Sequence, residues 1–126
     1  MARRDPRWIR GVDLFNAGEF FDSHEAVEEV WLEEAGGERE FLKGFIQCAV
    51  ALEHHRRGNP RGFRSVAETA VLHLGRSAPD AGGLDVARLV GEFESFRSAV
   101  ERGADAPWPR ARWRDADPRE GEEAGT

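Results

Sequence analysis

A second cysteine is missing from this chain, so the single Cys48 excludes an intramolecular disulfide and points to a reducing compartment. No apolar run is long enough to span a bilayer. The longest, Phe45 to Leu52, is short and interrupted by Gln47. The first residues, MARRDPRWIR, are basic but have no apolar stretch behind them, so a signal peptide is not expected. A basic excess is also absent: 18 Lys and Arg stand against 24 Asp and Glu, for a formal charge of −6. That balance argues against a nucleic-acid binder held by a general positive field, and against binding to anionic membranes. No phosphate loop, serine-nucleophile elbow or paired-cysteine zinc motif occurs. The expectation is a soluble, cytoplasmic protein whose 126 residues suffice for one genuine core.

Strand-like alternation is lacking throughout, whereas helix punctuation is plentiful. Asp5-Pro6 reads as an N-cap with proline at the first helical position, and Trp8, Val12 and Phe15 mark the apolar face that follows. Gly18 stops that helix. A second helix runs from about Glu19 to Glu34 and ends at Gly36-Gly37. The third, about Glu38 to Arg57, is apolar around nearly its whole circumference between Gly44 and Leu52, which belongs at the centre of a bundle. Gly58-Asn59-Pro60 separates it from a fourth helix carrying Phe63, Ala67, Ala70 and Leu74. A fifth, about Leu84 to Arg102, carries Leu89, Val90, Phe93 and Phe96. The fold class is all-α, a compact bundle of about five helices. Residues 1–102 are read as one helical domain, and residues 103–126 as an acidic tail docked through Trp108 and Trp113, with its last ten residues disordered. Aligning Gly18 with Gly58 also matches Glu28 with Glu68 and Leu32 with Leu72, a weak sign of two similar helix hairpins.

One stretch carries chemistry. In FFDSHEAVEEVW, a helix at about 100° per residue puts Phe20, His24, Val27 and Trp31 on one stripe with Glu28 beside it. The other acids, Asp22, Glu25, Glu29 and Glu33, fall on the opposite face. His24 and Glu28 at i, i+4 are close enough to hydrogen-bond each other or to grip one ion. The competing structural reading is a buried pair that fixes packing register. On the central helix Lys43, Gln47 and His54 line one narrow polar seam. An amide in an apolar run must satisfy both its NH₂ and its oxygen, and the His24/Glu28 face is the natural partner. Cys48 reads as an inert small hydrophobe, and His55 and His73 as histidines at the core margin.

The pattern His24-x-x-x-Glu28-x-x-Trp31, following FNAGEFFDSHE, resembles the signature of a bacterial and archaeal family known as domain of unknown function, family 309. The likeness continues through FLKGFIQCAVALEH, with Gly44, Gln47, Ala49 and His54, and into RRGNPRGF, with Gly58, Asn59 and Gly62. It covers about Phe15 to Leu74 and leaves out the tail. Phe63 stands where relatives often carry a small residue, which predicts a local difference in the packing of the fourth helix. The resemblance implies a small left-handed helical bundle whose motif is suspected of metal binding.

Three functions are expected in turn. The leading one is a binding protein with a pocket between the second and third helices, lined by His24, Glu28, Trp31, Gln47 and His54, for a small ligand or a divalent metal. A metal would take His24 and Glu28 as ligands with Gln47 orienting a bound water, and zinc or another transition metal suits that donor set better than calcium. The second is a metal-assisted hydrolase with Glu28 as general base. The third is a protein-interaction or self-associating helical-hairpin module in which the polar cluster is purely structural.

Overall fold

Short-range capping chemistry sets most of the helix boundaries. In the computed structural model, which describes residues 3–120, Asp5 accepts a hydrogen bond from the Arg7 amide and Pro6 opens α1, Pro6–Asn16. Gly18, at φ +80°, turns the chain into α2, Phe20–Glu33. After α3, Arg39–Arg56, the same device recurs: Gly58 sits at φ +73° and the Asn59 side chain accepts from the Gly62 amide at the start of α4, Pro60–Gly75. A 3₁₀ turn, Ala81–Gly83, leads to α5, Val86–Glu101, capped by Asp85. Among the described residues the regular structure is helical, and the one β-bridge joins Leu84 to Trp113.

α3 is the middle of the molecule, as its composition predicts. It packs between α2 and α4, and α1 lies on α2. Phe41, Leu42, Phe45, Cys48, Ala49 and Leu52 are all fully buried. Two glycines bring helices together. A Cβ at Gly44 would lie 3.0 Å from the backbone nitrogen of Leu74 on α4, and one at Gly11 on α1 would overlap Val27 of α2. Trp8 locks α1 to the 3₁₀ turn, donating from Nε1 to the Gly82 carbonyl at 2.9 Å while its rings meet Phe41 and Phe45 edge-on. Phe63 is buried against His55, Phe93 and Phe96, so this bulky residue joins α4 to α5.

The rotation of α2 differs from the periodicity reading. Its buried face is Phe20, Ser23, Val27 and Val30, while His24, Glu28 and Trp31 stand at the edge of that face. The reason is that α2 is held between α1 and α3. The Ser23 hydroxyl donates to the Gly11 carbonyl at 2.7 Å, fixing the helix with its small polar residue inward.

Residues 104–120 form an irregular strap across α1 and α5. The Asn16 amide grips Ala111 from both sides, donating to its carbonyl and accepting from its N–H at 2.8 Å each. Glu92 receives Arg112 and the Arg110 amide, and Arg119 pairs with Asp13. Trp108 stacks on Phe96 at 5.0 Å, and Trp113 meets Trp8 edge-on. The disorder expected of the last ten residues covers 117–120, where Arg119 pairs with Asp13 and Asp117, and 121–126, which lie outside the described residues.

Candidate functional site

The motif residues lie along the seam between antiparallel α2 and α3. Two contacts set its register. The Lys43 ammonium sits 5.8 Å from the Trp31 ring centroid, and His24 and His54 line one cleft further along. Gln47, one turn beyond Lys43, therefore falls level with Val27 and Glu28.

His24 Nε2 lies 2.8 Å from Glu28 Oε2. The side chains are 24% and 46% exposed; His24 lines the cleft, and Glu28, outside that lining, keeps contact with water. A carboxylate can only accept, so a proton shared in this contact belongs to His24 Nε2, and in the neutral ring Nδ1 then keeps its lone pair. His54 is set by a different partner. Asn59 Oδ1 is committed to the Gly62 amide at 3.1 Å, which turns the Asn59 NH₂ toward His54 Nδ1 at 3.0 Å. A donor at Nδ1 requires the lone pair there and puts the ring proton on Nε2. With both rings neutral, the two imidazoles thus offer opposite functions, an acceptor on His24 and a donor on His54. Gly62 lets His54 occupy this place: a Cβ there would come within 2.6 Å of His54 Nδ1.

The cleft shared by the two histidines has a volume of about 200 Å³, several times the ~30 Å³ share of a liquid water. Phe20, Phe21 and Val50 supply its apolar wall. Glu53 and Arg57 complete the lining. Glu53 was not singled out from the sequence, although its spacing to Arg56 and Arg57 at i+3 and i+4 is a legible signal. Its carboxylate is 9% exposed and held by Arg56 Nη2 and Arg57 Nε, each at 2.7 Å. Burial alone would push this carboxyl up, but the two guanidiniums outweigh that and hold it below the usual carboxylate range.

Gln47 and Trp31 do not line the cleft. Both still carry unspent polar atoms: Gln47 Oε1 and Trp31 Nε1 are buried without a hydrogen-bond partner among the described residues. The Trp31 ring itself is covered by the Arg39 guanidinium, 4.0 Å from its centroid.

Among the described residues no three His, Cys, Asp or Glu side chains converge to hold a metal ion. A cation on His24 and Glu28 would therefore draw its remaining ligands from solvent or from a bound guest, and would have to part the contact between the two. His55 lies apart, among the rings of Phe63, Phe96 and Trp108, and His73 bonds Glu40 at 2.9 Å. Burial pushes the Cys48 thiol far up, leaving it unreactive. No helix among the described residues is long and apolar enough to cross a membrane.

Residues 8–66 match the model of a family described as Domain of unknown function (DUF309). The chain is 34% identical over 93 residues to the uncharacterized protein YpuF of Bacillus subtilis (strain 168), covering 71% of this chain and 53% of that relative. It is 28% identical over 90 residues to an uncharacterized protein of Aquifex aeolicus (strain VF5), covering 71% of this chain and 27% of the other. The chain thus spans about half of the first relative and a quarter of the second.

Proposed function

With residues 8–66 belonging to the DUF309 family, we propose that this chain is a small-ligand-binding helical protein whose cleft lies between α2 and α3 at the His24/His54 end. One observation carries the reading. Two imidazoles from different helices line one apolar-walled cleft, and each has one ring nitrogen held by a partner of its own, Glu28 or Asn59. Histidines braced in that way are pre-organised, so a guest meets a fixed acceptor and a fixed donor without having to order them. A guest with an apolar body and a polar end fits this lining. The test is a ligand-observed NMR screen of small fragments, repeated on Val50→Trp, in which the indole fills the cleft. Hits should perturb the His24 and His54 imidazole resonances and vanish in the variant. Hits that survive Val50→Trp unchanged would remove the cleft from the proposal.

The hydrolytic reading keeps one specific support, and it changes the roles. With Glu28 2.8 Å from His24 Nε2, the carboxylate orients the ring, and Nδ1 of the neutral ring is the available base. A metal reading rests on the same pair alone. Elemental analysis of protein purified without a chelating tag tests it: metal carried by the parent and lost in His24→Ala would favour it.

A further inference from the structure

Resting on that binding reading, we infer that the guest is a small monocarboxylic acid with an apolar body, its carboxylate held by Arg57 and the His54 N–H. The lining of the cleft divides sharply. Phe20, Phe21 and Val50 are apolar, so they receive the body of the guest. The one carboxylate in the lining, Glu53, is ion-paired with Arg56 Nη2 and Arg57 Nε at 2.7 Å each. It anchors the arginines, and its negative charge is countered by them.

Arg57 is only half used. It gives Nε to Glu53, and its two Nη groups have no partner among the described residues, while its side chain is 67% exposed at the rim. Arg56 and Arg57 both pair with Glu53, and one carboxylate cannot neutralise two guanidiniums. That surplus matches one negative charge, and the paired Nη donors match the planar fork of a carboxylate. His54 adds a further donor, because Asn59 fixes its proton on Nε2. His24 contributes the complementary acceptor, which suits a hydroxyl or amide N–H on the body of the guest.

Two pairs of probes read this directly: benzoate and hexanoate against their neutral matches, benzamide and hexanamide, each titrated into the full chain at pH 7 and followed on the His24 and His54 imidazole signals. The acids are expected to bind at least about tenfold more tightly than the amides, the usual scale for a charge-assisted contact. Arg57→Gln should erase that preference while Arg56 still holds Glu53. Acids and amides that bind the cleft equally, or a preference that survives Arg57→Gln, would overturn the carboxylate assignment and leave the cleft standing. If none of the four probes perturbs either histidine, the assignment falls together with the binding reading. The comparison on the parent protein does not depend on how the variant folds.

Discussion

At the scale of single residues, the site rests on braces that are themselves small or polar. Gly62 is the clearest case. In a helix, Ala is worth up to about 1 kcal/mol over Gly, so an open position would gain stability from Gly62→Ala. Here the added methyl would come within 2.6 Å of His54 Nδ1 and drive the ring from Asn59. The expected outcome is a moved His54 imidazole ¹⁵N pattern with little or no gain in melting temperature. An unchanged pattern would mean that the ring is not held as described. Ser23 shows the limit of residue-level reading. Its type alone gives no reason to bury it, and only the Gly11 carbonyl at 2.7 Å makes the inward position favourable.

At the scale of elements, the strap of residues 104–120 is held by side chains that imitate a backbone. The Asn16 amide offers Ala111 the same donor and acceptor pair that a neighbouring strand would. Asn16→Ala removes both bonds from a part-buried position, at a cost of about 1–3 kcal/mol. The loss should be local, with faster hydrogen exchange at the Ala111 amide and quicker proteolysis within residues 104–120, while the α3 amides keep their protection. Unaltered exchange at Ala111 would show that Trp108, Trp113 and the arginine pairs hold the strap without Asn16. The two hairpins, α1–α2 and α3–α4, turn at Gly18 and Gly58 in the same way, which is the physical content of the weak internal repeat.

For the whole molecule, the acid response follows from carboxylates held ionised by arginine. Glu53 lies below its ordinary value of 4.5 because Arg56 and Arg57 outweigh its burial. In Glu92 burial is likewise outweighed by the Arg110 amide and by Arg112 and Arg88. A carboxyl whose folded value is depressed contributes stability above its unfolded value and loses it as pH falls through the folded one. Melting temperature should therefore hold from pH 7 to near 4.5 and drop below it. Glu53→Gln should be about 1–3 kcal/mol less stable at neutral pH, with the gap closing as acid protonates the parent. A gap of constant size across that range would deny Glu53 its ionised role.

The sequence by itself determined the all-α class, the order of the helices, the caps at Asp5 and Asn59 and the central place of α3. These are local matters: a cap or an apolar circumference is read within a few residues of chain. It also located His24 and Glu28 as partners, since i, i+4 spacing on one helix needs no knowledge of neighbours. Only the tertiary structure decided which way α2 is rotated, because one residue of rotation depends on Gly11 and Ser23 meeting across a helix boundary. For the same reason it alone joined His24 to His54 in a single cleft, brought Glu53 into its lining and left Gln47 and Trp31 outside. Side chains on separate helices meet through packing and register, and those are properties of the assembled bundle.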